Sequence, residues 1–329
     1  MPHDEPIHYQ VQSTSFQHRL LEVPGDNMKI SLQWAAGLLT VAIASSVLTV
    51  SVSAETPRKQ EKKHHFMFNE YSPVQRIVEM SEDGTILWEH KVPSLCVMFE
   101  TMKNGNVIYA YGGNPTGVQE VDRNHKIVWN YTAQCEQVLG FCTLPNGNVL
   151  LGEQGPPQAV EVNRKGEVVH ITPLTTAEKA AHRQVRSIHQ LKNGNILACH
   201  EADATVREYT PDGKVIWEYP GVTNVFEAIR LKNGNTLIGA GTTTKIIEVT
   251  PDKKIVWEFG AADAPELNST WIVGLNILKN GNLVASNFMR GAEGKGAHSF
   301  EVTRKKKVVW TFSDHKMATL VTMSRMLDD

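Results

Sequence analysis

Cysteine is scarce in this chain and never paired in sequence. Cys96, Cys135, Cys142 and Cys199 form no CxxC and no adjacent pair, so a thiolate zinc centre is not expected and no metal site is assigned. A Walker loop, a dinucleotide glycine fingerprint, HExxH and GxSxG are missing as well. Those absences lower the expectation of an enzyme without removing it, because some folds build catalytic sites from scattered residues. Nor is there an excess of one charge: 33 Lys and Arg stand against 35 Asp and Glu, a net charge of -2. Nucleic acid is excluded as a partner on that ground, since phosphates need a basic face. Long helical periodicity is absent beyond residue 66. With 24 glycines, that leaves short strands joined by tight turns.

The N-terminal residues read differently. "MKISLQWAAGLLTVAIASSVLTVSVSAETP" opens at Met28 with one Lys, continues in an uncharged apolar stretch and reaches Val52-Ser53-Ala54 before Glu55. That is the layout of a secretory signal peptide over residues 28–54. The same run is long enough to span a bilayer, so an uncleaved anchor stays open as the alternative. Met28 is the expected start, with residues 1–27 a mis-assigned extension. Residues 55–65 are expected to be a charged, solvated linker ending in His64-His65. The protein is therefore expected to be exported, periplasmic or secreted, and to touch a membrane only through an uncleaved segment.

Beyond the linker one phrase recurs six times without gaps: "MSEDGTILWEH" (80–90), "VDRNHKIVWNY" (121–131), "VNRKGEVVHIT" (162–172), "YTPDGKVIWEY" (209–219), "VTPDKKIVWEF" (249–259) and "VTRKKKVVWTF" (302–312). Each has a polar turn followed by a β-branched run. The ninth residues are Trp88, Trp129, His170, Trp217, Trp257 and Trp310, one ring per repeat, expected to be buried between neighbouring sheets. The smaller His170 is expected to loosen one junction. A second phrase, an apolar strand closed by Asn-Gly-Asn, occurs five times, as in "TNVFEAIRLKNGN" (223–235). Asn-Gly is the strongest short hairpin signal, and a type I′ turn is expected because its two central residues need positive φ.

The unit is thus four antiparallel strands in about 40–50 residues, the period of a propeller blade. The fold expected is an all-β, six-bladed β-propeller of four-stranded antiparallel blades over residues 66–329. "ATLVTMSRMLDD" (318–329) fits the missing inner strand of the blade begun by "FMFNEYSPVQRIVEM" (66–80). The C-terminal strand would complete the N-terminal blade and remove an open edge. Cys96 and Cys135 precede or begin adjacent inner strands and are the expected disulfide. Cys142 and Cys199, within strands, are read as buried thiols.

The Asp-Gly-Lys-x-x-Trp-Glu-Tyr and Leu-x-Asn-Gly-Asn-x-Leu hairpins resemble two groups of exported bacterial propellers, the quinoprotein-like repeat family and the arylsulfotransferase-like family. The first resemblance implies a quinone cofactor and redox chemistry. The adjacent Cys-Cys pair of the calcium-dependent quinoprotein dehydrogenases is absent here, and those are mostly eight-bladed, so no cofactor is expected. The second implies a central His nucleophile among further His and Arg. The matching residues are turns and packing, so fold is implied more firmly than activity.

Antiparallel alternation puts both hairpin turns of every blade on one face, short and uniform. The unequal connections, "GGNPTG", "QGPPQ", "TPLTTAEKAAHRQ", "AADAPELNST" and "MRGAEGKGAH", fall on the other, where function is usually placed. The axial funnel there is expected to hold Tyr111, Glu153, His200 and Asn287 from second-strand ends, with Tyr71. Inner-strand starts add Arg186, Glu227 and Trp271, and the long loops add His182, Arg183, Arg290 and His298. Arg186 and Glu227 are expected either to pair or to bind. Such a mixture suits a small anionic or aromatic ligand. The leading expectation is a binding or scaffold module for such a ligand, a glycan or a protein. An enzyme using His200 or His182 is the alternative, and a redox quinoprotein the second.

Overall fold

A computed structural model describes residues 63–328. They form six four-stranded antiparallel sheets arranged as the blades of a propeller, with no α-helix among the described residues. The expected signal and linker residues 1–62 lie outside the described residues. Blade 1 is assembled from Leu320–Met326, Phe66–Ser72, Arg76–Met80 and Ile86–Lys91, in that order from the inside. Phe66 opposes Met326, Phe68 opposes Ser324 and Ser72 opposes Leu320, so the last strand does close the ring. The other inner strands are Phe99–Thr101, Gln137–Thr143, Ile188–Gln190, Glu227–Arg230 and Ile272–Ile277.

The turns differ from the type I′ expectation. In "MKNGN", the Gly105 N–H donates to the Met102 carbonyl at 2.9 Å, and the Met102 N–H donates to the Asn106 carbonyl at 2.8 Å. Only the glycine is left-handed, at φ 84°. This is a type I turn followed by a left-handed closing residue, the three-residue hairpin loop. Asn104 holds it by accepting the Asn106 N–H at 3.0 Å, which an Asn can do without positive φ. The polar hairpin turns use the same form, with Gly84 and His125 among the left-handed residues.

The repeated Trp has a more specific role than filling space. Four of the five indoles donate their Nε1–H to the carbonyl of the third residue in the next blade's turn. Trp88 reaches Arg123 at 3.0 Å, Trp129 reaches Arg164 at 3.1 Å, and Trp217 and Trp257 reach Pro251 and Arg304 at 2.9 Å. His170 makes the same bond to Pro211 at 3.0 Å, so the substitution keeps the junction's hydrogen bond. Burial is uneven. Trp88 and Trp129 are buried, but Trp217, Trp257 and Trp310 are half-buried, contrary to expectation.

An arginine lies over four of these rings: Arg123 on Trp88, Arg164 on Trp129, Arg304 on Trp257 and Arg230 on Trp217, at 4.3–5.2 Å from the centroids. Each also pairs with a buried glutamate, Glu79, Glu120, Glu248 and Glu208 respectively. Most of these glutamates also accept from the last Asn of an Asn-Gly-Asn phrase, for example Asn235 to Glu248 at 2.7 Å. The "RKKK" turn (304–307) is solvent-exposed throughout, and its Arg304 is a cross-blade clamp as well. At the closing junction Arg is replaced by His64, which bonds Glu301 at 2.7 Å and Asp328 at 2.9 Å and meets Trp310 edge-on at 5.2 Å. His65 bonds Glu79 at 2.7 Å. Both histidines belong to the propeller, not to a solvated tail.

The four cysteines are unpaired, which corrects the expected Cys96–Cys135 disulfide. Each of the two thiols is turned to the carbonyl two residues on, Met98 and Gln137.

Candidate functional site

The variable face gathers a cationic cluster around the axis. The connection from blade 3 to blade 4 ends in a single helical turn, Ala181–Arg183, that carries His182 and Arg183. Three residues on, Arg186 starts the run into the inner strand of blade 4. Gly140 of blade 3 lets that run come close: a Cβ there would lie 2.3 Å from the Arg186 carbonyl oxygen. Arg186 is 5% exposed, and its Nε donates to Glu201. Arg183 Nε donates to the other oxygen of the same carboxylate at 2.9 Å. Burial pulls the Arg186 guanidinium below its ordinary pKa, and the Glu201 carboxylate opposes that pull. The expected pairing of Arg186 with Glu227 is not formed. Glu227 is buried against His189 at 2.7 Å.

Arg290, from the long loop of blade 6, is the third cation. It is exposed and forms no ion pair among the described residues. Its guanidinium lies 5.5 Å from the Tyr71 ring and 5.1 Å from the Phe288 ring. Tyr71 and Trp271 each meet Phe288 edge-on, at 5.4 and 5.5 Å. The Trp271 Nε1–H donates to the Asn224 carbonyl at 2.9 Å, which fixes the half-buried ring as a loop anchor. Arg186 stands 5.7 Å from the Phe226 ring.

His182 joins these groups electrostatically. Part burial lowers its pKa first, then Arg186, with Arg290 and Arg183 adding and Glu201 opposing. It is therefore neutral at pH 7. Gln137 Oε1 lies 2.8 Å from its Nδ1; an amide oxygen only accepts, so Nδ1 carries the proton and Nε2 keeps a free lone pair. Three guanidinium groups against the Glu201 and Glu293 carboxylates leave the cluster with surplus positive charge.

Other expected site residues lie elsewhere. His200 is fully buried, its Nδ1–H donating to the Gln184 carbonyl and its Nε2 accepting from the Tyr209 hydroxyl, both at 2.8 Å. Burial lowers it to about 4. With both nitrogens engaged, it has no face for a substrate. Tyr111 turns to the rim of blade 2, beside a cavity of about 240 Å³, and bonds Asn130 at 3.1 Å. Glu153 is buried and accepts from Gln158 at 2.8 Å. Asn287 fastens its loop, accepting the Thr270 N–H at 2.8 Å and donating to the Ala297 carbonyl at 3.0 Å. His298 is buried in blade 6, with the Asp314 and Ala318 backbone beside its ring but neither nitrogen in good hydrogen-bond geometry. Glu201, Gln137, Phe226 and Phe288 were not singled out from the sequence. Only Glu201 had a visible signal, as an acidic residue next to His200.

A wider concavity, about 740 Å³, lies at the blade 6–blade 1 junction, lined mainly by the outer strand from Lys307 to Phe312, His64 and the turn near Glu82. Its cations are Lys63 and Lys307 with no arginine among its lining, so the guanidinium groups rather than size single out the axis.

The chain matches no family profile and no curated protein. Among solved structures it is similar to a Bacteroides caccae protein of unknown function. The two share 25% identity and a TM-score of 0.73, over 82% of this chain and all of that one. It is also similar in fold to the Staphylococcus aureus virginiamycin B lyase, 14% identical with a TM-score of 0.53, over 76% of this chain and 86% of the other. A chain of the nidogen–laminin complex aligns at 10% identity and a TM-score of 0.57, over 79% and 97%. These likenesses show the propeller and do not extend to a quinoprotein-like or arylsulfotransferase-like assignment.

Proposed function

We propose that this is an exported binding module that holds a small aromatic anion on the variable face, over the axis. The observation that carries the reading is Arg290, an exposed guanidinium resting on Tyr71 and Phe288 with no carboxylate within ion-pair distance among the described residues. Arg183 and Arg186 already share Glu201, so an incoming carboxylate or sulfate meets cations with charge to spare. Trp271, Phe288 and Tyr71 offer edges and faces for a ring. The nidogen–laminin neighbour supports a protein partner as the other kind of occupant, and export rests on the signal-like run at 28–54.

Titration calorimetry with 4-nitrobenzoate, 4-nitrophenyl sulfate and neutral 4-nitrobenzamide tests this. The two anions are expected to bind and the amide not. Arg290→Ala is expected to weaken the anions about tenfold, the loss of one charge-assisted contact of about 1.4 kcal/mol. Equal binding of the amide, or an Arg290→Ala variant that binds like the parent, overturns it.

One observation favours an enzyme as the second reading. His182 is neutral, oriented by Gln137, and presents a bare Nε2 beside the cations. That is the arrangement of a nucleophile or general base facing an anionic ester. Turnover of 4-nitrophenyl sulfate that falls by orders of magnitude in His182→Ala, with binding retained, would mark the enzyme.

A further inference from the structure

We propose that His90 and His125 form a binding site for a divalent late transition metal ion, such as zinc or copper, bridging blades 1 and 2. The argument starts from two departures in the repeat. Where His125 stands, the other turns have Gly84, Gly166, Gly213, Lys253 and Lys306. Where His90 stands, the other blades have Tyr131, Thr172, Tyr219, Phe259 and Phe312. Two positions that need no imidazole have each become His, and the fold brings those two together.

The geometry is specific. The Nδ1 atoms are 3.2 Å apart, and the rings are nearly parallel at 9°. Both stack beside Trp88, at 5.6 and 5.3 Å. His125 holds its place at φ 65°, a left-handed conformation that disfavours a residue with a Cβ. An N–N separation of this size, with metal–nitrogen bonds of about 2.0–2.1 Å, subtends about 100° at the ion, close to tetrahedral.

A hydrogen-bond chain sets His90 in the ligating tautomer. The buried Tyr109 hydroxyl donates to Gln119 Oε1 at 2.6 Å, and so accepts from His90 Nε2–H at 3.1 Å. His90 Nδ1 is left as a lone pair, with its outer nitrogen held as in metal-bound histidines generally. Without metal, His125 donates its Nδ1–H to that lone pair. On binding, His125 shifts its proton to Nε2, and both Nδ1 atoms face the ion as neutral donors. Arg123 lies over the same Trp88, but Glu79 offsets its charge. No group of three or more metal-binding side chains occurs among the described residues, so water completes the shell and the ion exchanges.

The full chain is titrated with copper(II), following tryptophan fluorescence, and melted with and without zinc chloride. Copper is expected to quench one saturable component at one equivalent, and that component is expected to vanish in Trp88→Phe. His125→Gly and His90→Phe, each the repeat's own choice, are expected to weaken copper at least tenfold. His125→Gly should melt without metal no lower than the parent. Zinc is expected to raise the melting temperature of the parent by a few degrees and of neither variant. Tyr109→Phe, which frees the tautomer, is expected to weaken binding by a smaller factor. Copper affinity unchanged in His125→Gly, or quenching that persists in Trp88→Phe, overturns the proposal.

Discussion

Acid should weaken this propeller through His200, and the size of the effect follows from its surroundings. Burial lowers the imidazole from 6.5 to about 4, with the Gln184 carbonyl opposing the shift. Its Nε2 accepts from Tyr209 and has no room for a proton. Above pH 6.5 the ring is neutral folded and unfolded, so its contribution is fully present. As pH falls from 6.5 towards 4, the unfolded chain takes up a proton that the folded chain refuses, and stability is lost. Below 4 both states are protonated and the loss stops. The gap of about 2.5, at about 1.36 kcal/mol per pKa unit, makes the whole effect about 3 kcal/mol, of which about 2.5 is lost by pH 4.5. His298, also lowered to about 4 by burial and then by His315, adds a similar amount over the same window. The assay is urea unfolding by tryptophan fluorescence between pH 7.5 and 4.5, comparing the parent with His200→Gln. The variant is expected to be less stable at pH 7 and to lose about 2.5 kcal/mol less on acidification. Parallel curves for the two proteins would refute the buried, neutral His200.

Further consequences concern the junctions and the closure. Trp217→Ala is expected to cost about 2 kcal/mol and Trp129→Ala about 3–5, because the first ring is half-buried and the second buried; equal costs by urea unfolding would contradict the difference in packing. Arg304→Ala strands the Glu248 carboxylate beside Asn235 and is expected to cost about 1–2 kcal/mol at pH 7, discounted for the exposed arginine. Glu248 lies below its ordinary 4.5; burial opposes this, and Asn235 and Arg304 cause it. The cost should therefore shrink as pH falls below about 4.5, and a pH-independent cost would remove the clamp. Deleting residues from Ala318 onward leaves Phe66–Ser72 without its inner neighbour and is expected to give aggregation or a melting temperature many degrees lower; a monomeric truncation that melts like the parent would contradict closure.

The blades were legible because a propeller imposes the same local demand six times. A left-handed residue closes each turn, β-branched residues follow it, and a ring one blade's width away bonds the next turn. Those demands select residue types at fixed spacing, so "LKNGNTLIGA" and "PDGKVIWEY" show them on their face. The clamp was written in the same repeat, less regularly, and went unread. Glu79, Glu120, Glu161, Glu208, Glu248 and Glu301 fill one column, and Arg123, Arg164 and Arg304 take three of the six places in another, beside Glu82, Pro211 and Pro251. An exposed-looking charge in a turn reads as solvated until its partner is known, and that partner lies in the preceding blade. His64 is the extreme case: its partner Glu301 is 237 residues away, so the composition of "RKQEKKHH" carries no trace of the contact.

The axial cluster was legible only in part, for a reason of strand geometry. The second strands are buried on both faces, as in Val107–Gly112 and Val149–Gln154, so alternation gives no parity by which to tell axis from junction. Tyr111, Glu153, His200 and Asn287 all stand near second-strand ends, yet they turn into walls and loop fastenings. Arg183, Arg186, His182 and Arg290 come from connections instead, where no repeat constrains the residue type and an unneeded charge stands out. The same logic found His90 and His125 once the repeat was in register. On a scaffold this uniform, function is best sought where a column is broken, and most of all where two broken columns touch.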